Sequence, residues 1–304
     1  MKQDTLVVIT GPTAVGKTAL CMDIAKKFDI PIINADSRQI YKGLDIGTAT
    51  PTRQQQEDVK HYFVSTLDLT EYYNASMYEQ DVLHLLPELF STSSSHLALL
   101  SGGSMMYIDC VCNGIDDIPT IDTKTRTIFK ERLITEGLEK LCEELKLLDP
   151  EYYDFVDKRN PRRVIHGLEI CYQTGMPYSS FRKRNKKKRP FNIVKIALTC
   201  PREELYARIN ARVDEMVRIG LLEEVHQLYK FRHLNALNTV GYKELFEYID
   251  GNISFDNAIE RIKSNTRKYA RKQLTWYKRD KDICWFHPQE RNEIINYITD
   301  NYER

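Results

Sequence analysis

Over the first hundred residues, short apolar runs alternate with stretches of three- and four-residue apolar spacing, the pattern of parallel strands joined by crossover helices. Strands are predicted at Thr5–Thr10, Pro31–Ala35, His61–Ser65 and His96–Leu100, with helices at Lys17–Phe28 and Ala75–Phe90. After Asn113 the pattern changes. Ile118 to Cys171 is rich in Leu, Glu, Lys and Arg, is punctuated by Pro150 and Pro161, holds no strand-like run, and is predicted to be helical. A β-like run at Phe191–Thr199, between Pro190 and Pro201, predicts a return to the same sheet. Helices follow from Glu203 to Lys281, and a short apolar piece lies at Ile283–Phe286. The expected fold class is α/β: a parallel-sheet core with an inserted helical domain and a helical C-terminal region. The expected division is residues 1–115, 116–189 and 190–304, without internal repeats.

Composition narrows the class. A chain of 304 residues with 10% aromatics can bury a substantial core, which excludes disorder. Its N-terminus leads straight into a run too short for a signal or a membrane span, so a cytoplasmic protein is expected. The seven cysteines are odd in number, and Cys110 and Cys112 match neither a zinc nor a redox spacing, so all are expected to be reduced. The formal net charge of +1 neither requires nor excludes a nucleic-acid partner, but the charges are clustered. Seven of the eight residues from Arg182 to Arg189 are basic, and nine more basic residues against one acid, Asp280, lie between Arg261 and Lys281. A basic run can simply be a solvated face; two runs in a neutral chain point toward a polyphosphate partner.

The most specific local signal is Gly11-Pro12-Thr13-Ala14-Val15-Gly16-Lys17-Thr18. It satisfies the Gly-x-x-x-x-Gly-Lys-(Ser/Thr) pattern of a P-loop, and a predicted strand and helix flank it, which sets it apart from a chance glycine turn. Glycines let such a loop curl its N–H groups inward, the helix adds the positive end of its dipole, and Lys17 supplies a mobile cation. The Thr18 hydroxyl is placed to bind magnesium shared with phosphate oxygens. Such a cradle recognises a diphosphate without naming the reaction.

Asp36 follows the second predicted strand, so in a parallel sheet it faces the crevice occupied by the loop. There a carboxylate can accept a proton, or it can serve as an N-cap or Asx turn. With this residue the chain resembles the tRNA dimethylallyltransferases (tRNA isopentenyltransferases). The resemblance rests on the Gly11–Thr18 loop, Asp36-Ser37-x-Gln39-x-Tyr41 running into Asp45-Ile46-Gly47-Thr48-Ala49, Gly102-Gly103-Ser104-x-x-Tyr107, Val240-Gly241-Tyr242 and Arg271-Lys272-Gln273-Leu274-Thr275-Trp276. These segments span nearly the whole chain in one order.

The resemblance implies transfer of a dimethylallyl group from dimethylallyl diphosphate, with magnesium, to the exocyclic amine of the adenosine 3′ of the anticodon in tRNAs reading codons that begin with U. Asp36 would take the amine proton. The loop N–H groups, Lys17, the Thr13 hydroxyl and Arg212 would bind the diphosphate, and a surface role for Arg212 stays open. Ser37, Arg38, Gln39 and Ser104 would meet the target nucleotide; Ser104 stands where the family usually has threonine and keeps its hydroxyl. Arg126, Arg162 and Arg163 would contact the anticodon stem-loop, and Thr239, Gly241, Arg271 and Lys272 would face RNA. Basic positions 261, 268, 272 and 279 recur at helical spacing, so one face could track a backbone, with Trp276 either stacking or packing. A monomer is expected.

Three other readings share some features. A small-molecule or nucleotide kinase would use the same ATP-binding loop, but no closing lid of arginines announces itself. An adenylate prenyltransferase would use the same chemistry without needing the helical insertion. A nucleic-acid-binding module with a degenerate loop conflicts with intact Lys17, Thr18 and Asp36.

Overall fold

The computed structural model describes residues 3–183 and 186–302. The chain packs as two units, one formed by residues 1–113 and 188–304, the other by residues 114–187. The first unit opens with β1 (Thr5–Thr10), α1 (Lys17–Phe28), β2 (Ile32–Asn34), α2 (Arg53–Asp58), β3 (His61–Tyr62), α3 (Ala75–Thr92), β4 (Leu97–Ser101) and α4 (Met105–Asn113). The second holds α5 (Thr123–Glu136), α6 (Leu138–Leu148), α7 (Pro150–Phe155), α8 (Pro161–Thr174) and α9 (Tyr178–Phe181). The chain returns to the first with β5 (Asn192–Leu198), α10 (Arg202–Arg218), α11 (Leu221–Leu228), α12 (Tyr242–Ile249), α13 (Phe255–Tyr277), β6 (Cys284–Phe286) and α14 (Arg291–Tyr302).

The strands form one parallel sheet in the order β3-β2-β4-β1-β5-β6. β1 and β4 are buried along their whole length, as a sheet covered on both faces requires. Thr10 pairs with Ala197, Ile9 with Ser101, and Ser101 with Asn34, so the carboxyl ends of the four central strands are level and their following loops converge. Strand β3 stops earlier than predicted because Phe63 and Ser65 take positive φ values of 61° and 50°. One core cluster packs α1, α10 and α14 on the sheet; another joins the Ile40–Leu44 segment to α10–α13. The helical unit has its own core around Phe129, Leu141, Leu145, Val164 and Leu168.

The helices α2, α4, α9 and α14 lie outside the stretches predicted from apolar spacing. α2 is polar throughout and starts with a capping box: Thr52 Oγ1 accepts from Gln55 N, and Gln55 Oε1 accepts from Thr52 N. α14 buries Ile294, Ile298 and Tyr302 at four-residue spacing. All seven cysteines are unpaired.

Candidate active site

The loop after β1 is shaped by its glycines. Gly11 has φ 138° and lies so close to β5 that a Cβ there would be 2.7 Å from the Leu198 carbonyl oxygen. Gly16, with φ 109°, caps α1 and turns the loop into the helix, with Pro12, Ala14 and Val15 forming the curve between. Lys17 Nζ folds back to donate to the carbonyls of Gly11 and Pro12 at 2.9 and 2.8 Å. Desolvation by the surrounding protein, followed by the charge of Arg212, lowers its pKa to about 8. Thr18 is exposed on the wall of a cavity of about 460 Å³, which Thr13, Lys17, Asp36, Gln39 and Arg212 also line. Not all loop N–H groups face this space: Thr13 N donates to Gln273 Oε1 at 2.8 Å, and Val15 N donates to the Pro12 carbonyl.

Asp36 does both things open to it in the sequence. Its Oδ1 accepts from the backbone N–H of Arg38 at 2.9 Å and Gln39 at 3.4 Å, an Asx turn. Its Oδ2 faces Gly103, where a Cβ would stand 2.9 Å away. Burial raises the Asp36 pKa above the usual carboxylate range, against the lowering effect of the two N–H bonds and of Arg38 and Lys17. Burial also lowers the Arg212 pKa, with Asp36 opposing it.

The turn after β4 presses on this carboxylate's own backbone. A Cβ on Gly102 would lie 2.1 Å from the Ala35 carbonyl oxygen, so only glycine fits. Ser104 N donates to that carbonyl at 3.0 Å. The Ser104 hydroxyl accepts from Ser37 N at 2.8 Å and donates to Ser37 Oγ at 3.0 Å, so it stitches the two loops together rather than pointing free at a ligand. Gln39 Nε2 donates to the carbonyls of Thr48 and Ala49, and Arg38 Nη1 to those of Asn235 and Ala236.

The Asp45–Gly47 and Gly241–Tyr242 segments meet. Glu224 accepts from the N–H groups of Asp45, Ile46 and Gly47 and from the hydroxyl of fully buried Tyr242, while Gly47 leaves room for the tyrosine ring. Gly241, buried with φ 100°, donates its N–H to Glu244, and Thr239 is half-buried beside it. These residues therefore shape a surface, and Gly241 itself is covered. Sequence reading missed Glu224, and it missed Arg208, which lines the cavity one turn before Arg212 and donates to the Val15 carbonyl at 3.2 Å.

Several residues of the basic runs have protein partners. On α13, Arg261 pairs with Glu247, Lys263 with Asp214, and Arg267 with Asn210; Arg279 lies past the helix end. Arg271 donates to the Tyr206 hydroxyl at 2.8 Å, and Lys272 is exposed. Trp276 packs half-buried, its Nε1 donating to Asp109 Oδ2 at 2.8 Å. In the earlier run, Arg189 forms a buried ion pair with Glu79 at 2.6 Å and donates to the carbonyls of Cys110 and Val111. The Arg182 guanidinium lies over the rings of Tyr152, Phe155 and Tyr178. Lys187 pairs with Asp117; Arg184 and Asn185 lie outside the described residues. Arg126 is half-buried on α5, and Arg162 and Arg163 are exposed at the start of α8.

A glycine loop feeding a helix N-terminus, with a perturbed carboxylate on the same cavity wall at the carboxyl edge of a parallel sheet, is the arrangement of an α/β enzyme. The family model described as IPP transferase matches residues 39–280. The chain is 59% identical over 295 residues to tRNA dimethylallyltransferase 1 of Phocaeicola vulgatus, covering 97% of this chain and 98% of that one. Among solved structures it is similar to the tRNA isopentenylpyrophosphate transferase of Bacillus halodurans, with 34% identity, a TM-score of 0.71, and coverage of 99% and 97% of the two chains. A eukaryotic dimethylallyltransferase acting on tRNA, 24% identical with a TM-score of 0.81 and covering 98% of this chain and 77% of that one, shares the fold. The chain belongs to the IPP transferase family of tRNA dimethylallyltransferases. It is a prenyltransferase.

Proposed function

We propose that the chain moves the dimethylallyl group of dimethylallyl diphosphate onto the exocyclic amine of the adenosine 3′-adjacent to the anticodon, in tRNAs reading codons that begin with U. The observation that carries this reading is the placement of Asp36 on the wall of the same cavity as Thr13, Lys17 and Arg212. The adenine amine is a weak nucleophile because its lone pair is delocalised into the ring. As its nitrogen bonds to the prenyl carbon, the bond from that carbon to the diphosphate oxygen breaks. Asp36 takes the amine proton, and its upward pKa shift strengthens it as a base. Such a base contributes about 10²–10⁴-fold. Lys17, Arg212, the Thr13 hydroxyl and the helix α1 N-terminus receive the charge of the departing diphosphate.

The residues present suit magnesium in its usual mode, held largely by substrate phosphates and water with one or two protein oxygens. Among the described residues no group of three or more His, Cys, Asp or Glu forms a protein cage, and the Thr18 hydroxyl on the cavity wall is the oxygen that would hold the ion. When bound, magnesium neutralises charge on the diphosphate. On the acceptor side, Ser37 and Gln39 adjoin the base, Lys272 is an exposed cation of the first unit, and Arg126, Arg162 and Arg163 would meet the anticodon stem-loop from the helical unit. No described helix is long and apolar enough to cross a membrane.

Asp36→Asn tests the assignment. Stem-loop affinity should stay near that of the wild type while single-turnover transfer falls about 10²–10⁴-fold. Near-normal transfer would remove Asp36 as the base.

A further inference from the structure

Gln273 is fully buried near the end of α13, directly after Arg271 and Lys272. Its amide touches the two loops that carry opposite halves of the reaction. Oε1 accepts the Thr13 N–H at 2.8 Å, on the loop that would hold the leaving group. Nε2 donates to the Gly103 carbonyl at 2.8 Å, on the turn packed against Asp36 Oδ2. The Tyr269 hydroxyl, one helical turn earlier, donates to the same carbonyl at 2.8 Å.

Both bonds need an amide. A carboxylate can only accept, and an aliphatic side chain leaves a buried N–H and a buried C=O with one partner fewer. The bond to Thr13 also fixes a direction: it turns that N–H toward α13, while the residue still lines the cavity. We propose that Gln273 is a positioning residue, whose amide sets the distance between the leaving-group loop and the base by tying Thr13 to Gly103. The inference rests on the reading of the site given above. Gln273 borders the same cavity, but both ends of its buried amide are taken up by Thr13 and Gly103, and it acts through them.

The test compares Gln273→Glu and Gln273→Leu with the wild type. Single-turnover transfer from radiolabelled dimethylallyl diphosphate to an anticodon stem-loop is measured across pH, and folding is checked by circular dichroism. At the alkaline end of the profile, where the buried glutamate is ionised, it still accepts from Thr13 but cannot donate to Gly103, and the expected loss of kcat is on the order of 10²-fold, with donor KM little changed. As pH falls, the protonated carboxyl regains an O–H donor, so the ratio of variant to wild-type kcat should rise. The ratio for Gln273→Leu should stay low and flat. A filler of buried space would lower the folded fraction and the melting temperature while leaving kcat per active site intact and the Gln273→Glu ratio independent of pH. That result overturns the proposal even if Gln273→Leu does not fold. A wild type that transfers nothing to the stem-loop overturns the underlying functional reading, whereas a normal wild type beside a flat Gln273→Glu ratio overturns the inference alone.

Discussion

Replacing Gly102 with alanine tests whether Asp36 is positioned by the turn after β4. The added Cβ would start 2.1 Å from the Ala35 carbonyl oxygen and 2.2 Å from its carbon, both backbone atoms that no rotamer change can move aside. Cβ atoms essentially never come within 3.0 Å of such neighbours, so the two segments must part by at least 0.9 Å. Ala35 is bonded directly to Asp36, and its carbonyl also accepts from Ser104 N, so the displacement reaches the carboxylate and the stitch beside it. Overpacking of this kind costs about 1–3 kcal/mol of stability. A shift near 1 Å in a catalytic group costs roughly 10²-fold in rate. The assay is single-turnover prenyl transfer at saturating donor and stem-loop, read beside a thermal melt. Gly251→Ala supplies the control: its methyl meets nothing within 4 Å, and with φ 76° it strains the backbone away from the site. Gly102→Ala should lose rate far beyond its loss of stability, and Gly251→Ala should lose stability alone. Wild-type turnover in a folded Gly102→Ala would refute the positioning argument.

Other expectations concern charge and scaffolding. In kcat/KM for the donor, activity should fall as pH drops through the raised Asp36 pKa, because the base becomes protonated, and fall again as pH rises through about 8, where Lys17 loses its proton. Lys17→Arg should carry any residual activity to higher pH; a profile flat on the alkaline side would contradict the Lys17 role. Arg189→Ala breaks the buried ion pair with Glu79 and should cost about 3–5 kcal/mol in a denaturant melt, with tRNA affinity and its salt slope unchanged. A weaker salt slope would restore an RNA role to that residue. Glu224→Ala removes the acceptor of three backbone N–H groups and the Tyr242 hydroxyl, and should destabilise the protein by about 1–3 kcal/mol. An unchanged melt would show that this carboxylate does not hold the loop.

What the sequence revealed and what it concealed follow from how far apart the interacting residues lie. Strand β1, the Gly11–Thr18 loop and α1 are contiguous, so their chemistry stands in one line of text. The sheet could be anticipated because strands buried on both faces remain visible as apolar runs, and the turns after β2 and β4 inherit their place from it. Gln273 reaches Thr13 across 260 residues, and Glu224 reaches Gly47 across 177, which no local pattern encodes. Arg189 looked like part of a solvent-facing run because Glu79 lies 110 residues earlier. Helix α2 has no buried residue and so carries no apolar period; Thr52 and Gln55 were its only local sign. Arg208 could have been found from its i,i+4 relation to Arg212 on one helix face.

The most direct test of the central claim is transfer of radiolabelled prenyl from dimethylallyl diphosphate to an unmodified anticodon stem-loop bearing three consecutive adenosines, run beside AMP and beside ATP without donor. Label in the stem-loop, appearing about 10²–10⁴-fold more slowly with Asp36→Asn, is the result expected. Label in AMP alone would replace the acceptor, and ATP consumption with no prenyl transfer would contradict the account.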